Sequence, residues 1–335
     1  MQDRLPQSAT DMSRKGIAVA GSILVDEINS VSKYPAEGEL TQIATVSKAV
    51  GGCVPNVAVD LKKIMPELEV SAIGKIGQDE NATFVKSILE NNGVGTDMLT
   101  FSQDKTSFTQ VISVSGGQRT FFTYPGASAD FGDNDIDYEN LNADIFHLGY
   151  FLLLQKVDNG DGLKILKKVK EKGIKTSIDL VSDNSDRYGC VLPCLPFTDY
   201  LIINELEAGR LTGLSPDIKN IPDMAKKLID LGVNEKVIIH FSSGSVCADK
   251  NGNKTVLGSY KLPQGYIKGT TGAGDAFCAG SLFAINSGLT DKKILEYGTV
   301  CATMALSRED ATSGMVDINT AIEKCRNFES NKLCL

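Results

Sequence analysis

Lys268-Gly269-Thr270-Thr271-Gly272-Ala273-Gly274-Asp275-Ala276-Phe277 joins a strand-like run to an apolar helix. Small residues at 272–274 let backbone N–H groups converge on one point, and the helix that follows aims the positive end of its dipole there. Asp275 falls on the first turn of that helix, at the same mouth. Convergent amides beside a carboxylate suit phosphoryl transfer to a hydroxyl: the amides hold the transferring oxygens and the carboxylate takes the hydroxyl proton. The same residues also read as a glycine-rich turn capped by an aspartate. The rest of the chain must decide between the two.

The 335 residues are 42% hydrophobic and 23% charged, ample for a large core and ordinary for a cytoplasmic globular enzyme. The net charge is −8 and no Lys/Arg run stands out, which argues against nucleic acid or a membrane surface as partner. No apolar run approaches the roughly 20 residues of a membrane-spanning helix. Residues 1–15 lack the apolar stretch of a signal peptide and read as a disordered tail. Eight cysteines (53, 190, 194, 247, 278, 301, 325, 334) are scattered, mostly in apolar contexts, as reduced core thiols would be. Cys190 and Cys194 are four apart, but a zinc site there would need more ligands nearby than a chain with only His147 and His240 offers. There is no P-loop Gly-Lys-Ser/Thr, no His-Glu-x-x-His and no Gly-x-Ser-x-Gly.

Working outward from the N-terminus, Gly16-Ile17-Ala18-Val19-Ala20-Gly21 reads as a buried strand. Asp26 follows it closely, where open α/β sheets place ligands, although a solvated loop carboxylate fits as well. Residues 28–31 and 41–46 alternate as two strands of a small separate sheet. Gly51 and Gly52 allow close backbone approach, and Asn56 opens a helix carrying Val57, Leu61 and Ile64. Residues 106–115 and 119–124 alternate about Gly116-Gly117 as a hairpin, completing a four-stranded lid, with Arg119 a solvated charge near the turn. From residue 143 strands (144–148, 175–180, 200–203, 236–241) alternate with helices such as 162–172 and 221–231, the pattern of a parallel doubly wound sheet. Asn204-Glu205-Leu206-Glu207 comes straight off a strand and has the form of a helix-capping box. His240 reads first as a core histidine.

Thr270-Thr271-Gly272-Ala273-Gly274-Asp275, followed by Ala279-Gly280, resembles the C-terminal signature of the ribokinase-like (PfkB-type) carbohydrate kinases. Other phrases resemble the family's in the same order. They are Gly51-Gly52-Cys53-Val54-Pro55-Asn56-Val57-Ala58, then Gly74 to Asp79, then Asn204 to Glu207, then the strand and glycine loop at 237–244. The resemblance spans about residues 16–325. Departures are Cys53 where some ribokinases carry Lys, Ala82 where glycine is usual, and Gly269 in place of an acidic residue.

What the resemblance implies is specific. The fold is α/β, a doubly wound mainly parallel sheet with helices on both faces and a small β-sheet lid. The kinase domain is 16–330, with lid strands inserted at about 26–48 and 106–125. The activity is transfer of the γ-phosphoryl group of ATP to a hydroxymethyl group of an unphosphorylated monosaccharide, fructokinase- or ribokinase-like. A nucleoside kinase of the same fold and a non-catalytic sugar sensor are the alternatives. Asp275 is the base, and the amides of Gly272, Ala273 and Gly274 form the anion hole. Asp26, Gly51, Gly52 and Asn56 hold the acceptor. Asn204, Ser243, Gly244, Thr271, Thr299 and Ala302 contact the nucleotide, and Asn204 and Glu207 organise Mg2+ through water. Loop 307–311 stands where many relatives bind a monovalent cation. With Gly269 opposite, potassium activation should be weak or altered unless Asp310 or Lys268 compensates. The lid should turn one apolar face to the substrate. Its other apolar face should make a homodimer.

Overall fold

The computed structural model describes residues 16–114, 119–333 and 335; the 1–15 tail, the Gly116-Gly117 turn and Cys334 lie outside them. In chain order the strands are β1 (Ile17–Gly21), β2 (Leu24–Val31), β3 (Ile43–Gly51), β4 (Val70–Ile76), β5 (Leu99–Phe101), β6 (Ser107–Val114) and β7 (Arg119–Tyr124). Then come β8 (Ile145–Phe151), β9 (Lys175–Leu180), β10 (Tyr200–Asn204), β11 (Lys236–Phe241), β12 (Gly244–Asp249) and β13 (Lys254–Gly258). The helices are α1 (Cys53–Ile64), α2 (Glu80–Asn91), α3 (Gly126–Ala129), α4 (Gly162–Glu171), α5 (Glu205–Thr212), α6 (Ile221–Asp230), α7 (Ala273–Asn286), α8 (Asp291–Leu306) and α9 (Ile318–Cys325).

Nine strands form one sheet in the order β13-β12-β11-β10-β9-β8-β1-β4-β5. Pairing is parallel from β5 through β11, and only the β11-β12-β13 edge is antiparallel. β1 explains why both faces must be covered: it is buried along its whole length. Ile17 and Val19 belong to the apolar cluster that takes in α1, α2, α7, α8 and α9, while Ala18 and Ala20 belong to the one that takes in α4, α5 and α6. The chain leaves β1 toward β4 on one side and returns through β8 on the other. Strand order therefore reverses between β1 and β8, and a ligand crevice opens at the carboxyl ends there. The antiparallel β12–β13 hairpin, and the short β5 and α9, are additions to the elements read from the sequence.

The lid is a four-stranded sheet, β3-β2-β6-β7, in which β2 and β6 run parallel. Residues paired across strands share a face. Asp26, Ala49, Thr109 and Thr123 make one row, and Ser30, Thr45, Ser113 and Arg119 another on the same side. This side, with Ser47, faces the loop 309–312 across a cleft of about 410 Å3. The face toward the cleft is thus mostly polar, against the expectation of an apolar one; Ile28, Val111 and Phe121 form its one apolar row. The opposite face carries Val46, Ile112 and Phe122, and Val46 and Phe122 are 71% and 62% exposed.

Candidate active site

The carboxyl ends of the parallel strands deliver Tyr150 (β8), Asp179 (β9), Asn204 (β10) and His240 (β11) to one rim. Together with Glu207, Gly272, Gly274, Asp275 and Cys278 they line a cavity of about 180 Å3. The rim meets the N-terminus of α7. Gly272, which caps that helix, has φ 75°, and a Cβ there would lie 2.3 Å from the Ala311 Cβ, so only glycine fits. The amides of Gly272 and Gly274 find no acceptor among the described residues. The Ala273 N–H is turned to the Thr270 carbonyl, 3.3 Å away, so the expected three-amide cradle has two open donors.

Asp275 is buried, 5% exposed. The Asn56 amide and the Tyr150 hydroxyl both donate to its Oδ2, at 2.8 and 3.0 Å. Burial, and then the charge of Asp179, push its carboxyl up to about 7, against the pull of those two hydrogen bonds. A base that titrates near neutrality is poised to take a proton at physiological pH.

Asn56 is not the start of its helix. α1 begins at Cys53 after Gly52, and this places Asn56 one turn inside, facing α7. Its Oδ1 is buried without a partner among the described residues and free to accept from a hydroxyl. Asp26 lies on lid strand β2 rather than in a loop. Its carboxylate packs on Gly51, where any Cβ would come within 2.7 Å of Oδ2. Burial raises the Asp26 carboxyl to about 6, and the Arg119 guanidinium opposes this. Arg119 is only half-exposed, and it reaches the Thr271 hydroxyl at 3.4 Å, linking the lid to the loop before the helix. The sequence offered no sign of that role, nor of Tyr150 and Asp179.

On the far side of Gly274 lies a cavity of about 480 Å3, lined by His240, Ser242, Gly244, Tyr260, Phe277, Thr299 and Ala302 among others. Gly244, Thr299 and Ala302, read from the sequence as nucleotide contacts, are part of this lining. Ser243 and Thr271 do not line it, whereas their neighbours Ser242 and Thr270 do. Burial lowers the His240 ring to about 4, so it stays neutral beside Phe277. The cavity wall is tied down by the C-terminal stretch: Lys261 N–H donates to Glu329 O at 2.7 Å and Asn331 N–H to Ser259 O at 2.8 Å.

Asn204 and Glu207 form a full capping box. The Asn204 side chain accepts from two α5 amides, and Glu207 takes the Asn204 N–H at 3.0 Å and the Ser182 hydroxyl at 2.9 Å. Burial raises the Glu207 carboxyl to about 7. Three carboxylates (Asp179, Glu207, Asp275) share the smaller cavity, and no Lys or Arg lines it. Such an uncompensated oxygen set fits a hard divalent cation with its own waters.

A dipole-facing amide pair, a buried carboxylate beside it and a polar lid face fit one kind of chemistry well, phosphoryl transfer to an alcohol, and that sets the class of protein. Residues 14–318 match the model of the pfkB family carbohydrate kinases, so the chain belongs to that family and is a phosphotransferase. It is 24% identical over 325 residues to the ribokinase of Arabidopsis thaliana, covering 96% of this chain and 84% of that one. It is 28% identical over 283 residues to probable fructokinase-6, chloroplastic, of the same plant, covering 81% and 70%. The structure of Arabidopsis thaliana ribokinase complexed with ribose and ATP superposes with a TM-score of 0.80 at 24% identity, over 92% of this chain and 98% of that one, and shows the same fold.

Proposed function

We propose that the protein transfers the γ-phosphoryl group of ATP to the hydroxymethyl group of an unphosphorylated monosaccharide. The observation that carries this is Asp275, a buried carboxylate raised to about 7, which borders the smaller cavity at an amide-lined helix end whose Gly274 also lines the larger cavity. Asp275 takes the acceptor proton. The Gly272 and Gly274 amides hold the phosphoryl oxygens as charge develops. Asp26, Asn56 and the Gly51-Gly52 backbone bind the sugar hydroxyls, and the larger cavity takes the adenine end. Asn204 and Glu207 would hold Mg2+ through water; when bound, it supplies charge neutralisation on the phosphates. The hydroxyl-rich lid face, with Ser30, Thr45, Ser47 and Thr109, favours a sugar over a nucleoside. The cysteines described are all free, in keeping with a reducing, cytoplasmic setting.

The test is ATP consumption across a panel of monosaccharides and nucleosides. Turnover with a free sugar and none with nucleosides is expected; the reverse would overturn the acceptor. Asp275→Asn should keep its fold and lose roughly 10²–10⁴-fold in kcat. Near-normal turnover in that variant would remove Asp275 from the mechanism.

A further inference from the structure

One layer beneath the catalytic rim, three chemically reactive side chains meet. His147 on β8, Asp179 on β9 and Cys278 on α7 are all buried, and their ligand atoms lie within 4.8 Å of one another. His147 Nε2 is 3.3 Å from Asp179 Oδ2 and 3.6 Å from Cys278 Sγ. A single ring nitrogen thus faces both a carboxylate and a thiol, and the nitrogen–carboxylate distance exceeds the usual N–H···O of about 2.9 Å. The two edges that meet at Nε2 have the lengths found in a tetrahedron around a zinc-sized ion. Metal–nitrogen and metal–oxygen bonds of about 2.0–2.1 Å put two such ligands about 3.3 Å apart, and a metal–sulfur bond of about 2.3 Å puts sulfur about 3.6 Å from nitrogen.

The outer partners fit as well. The other ring nitrogen, Nδ1, is 3.1 Å from the Ser177 hydroxyl, which can accept the Nδ1–H of the tautomer that leaves Nε2 with its lone pair. Asp179 Oδ1 is held by the Tyr150 N–H at 2.6 Å, which orients Oδ2 toward the cluster. Asp179 and Cys278 both border the smaller cavity, so a fourth position opens toward water there.

We propose that His147, Asp179 and Cys278 form a site for a thiophilic divalent ion of the zinc class, separate from the magnesium held at the phosphates. On binding, the metal–sulfur bond forms as the Cys278 S–H bond breaks, and the thiol proton leaves to solvent. The Cys278 thiolate and the Asp179 carboxylate together offset the charge of the dication. The soft thiolate favours the zinc-class ion over hard Mg2+ at this site.

Cadmium reports the site without any need for turnover, through its thiolate charge-transfer absorption. The intact protein, in saturating Mg2+, should bind one Cd2+ with that absorption. Cys278→Ser and Cys278→Ala should both abolish it, and His147→Gln should weaken binding by at least about tenfold. Cys190→Ser, at a half-buried thiol elsewhere, should leave it unchanged. Absorption that survives in both Cys278 variants, or a folded wild type that binds no Cd2+, would overturn the proposal. Neither result depends on whether the acceptor is a sugar.

Discussion

Tyr150 is one of two described non-glycine residues with positive φ, at 62°; the other is Leu152 at 79°. Such a backbone costs on the order of 1–3 kcal/mol and persists where the surroundings enforce it. Here Asp179 holds the amide and Asp275 receives the hydroxyl, so the strain aims a donor at the base. That donor favours the ionised carboxylate and lowers its pKa. Because the base must be ionised, kcat/KM should fall as pH drops through about 7. Tyr150→Phe should move that acidic limb to higher pH while changing the nucleotide KM little, a shift absent if the tyrosine only packs. Linkage runs the other way for stability. The folded carboxyl holds its proton more tightly than the unfolded one, so this stabilisation is complete below about 4 and gone above about 7. Asp275→Asn should therefore raise the melting temperature over wild type more at pH 8 than at pH 5. Asp275 was legible because its glycine frame is contiguous in sequence. Tyr150 was not, because its partner lies 125 residues away and no local pattern marks the meeting.

At the scale of elements, the parallel strands were legible from apolar runs of β-branched residues, and most of their bounds moved by only a few residues. The start of α1 was misread. Asn56 looks like a cap, but Gly52 at φ 87° makes the turn earlier and frees Asn56 to face α7. The segment 308–313, packed against Gly269 and Gly272, shows a second departure. Asp310 does not turn toward Gly269; its carboxylate accepts from the Thr312 and Ser313 amides and the Ser313 hydroxyl, capping its own turn. The carbonyls of Arg308 and Glu309 lie 3.1 Å from where a Gly269 Cβ would stand, leaving carbonyl dipoles without a carboxylate. The Lys63 ammonium already reaches the Thr312 carbonyl at 2.8 Å. A site of carbonyls alone should hold a monovalent cation weakly. Turnover should then differ less than about twofold between potassium and a bulky organic cation at equal ionic strength. A large potassium-specific activation that survives Asp310→Ala would show that carbonyls suffice.

The whole molecule leaves the outer lid face unpartnered. Val46 and Phe122 sit exposed there. We expect a second copy to cover it, giving a dimer in light scattering at micromolar concentration and a monomer for Phe122→Glu. A monomeric wild type would count against this. Hydrophobic alternation announced the strands of that sheet, but which face met the cleft depended on register, which only pairing reveals.

The tie between residues 329–331 and 259–261 has a practical reach. The last strand-like stretch of the chain acts as a brace for the wall beside Tyr260, so a protease nick or a shortened clone ending near residue 327 would leave the sheet and the base in place yet slacken the adenine end. Such a molecule should melt almost as high as the intact one while its KM for ATP climbs several-fold and its KM for the sugar holds. Equal KM values for ATP in the two would mean that the wall stands unaided.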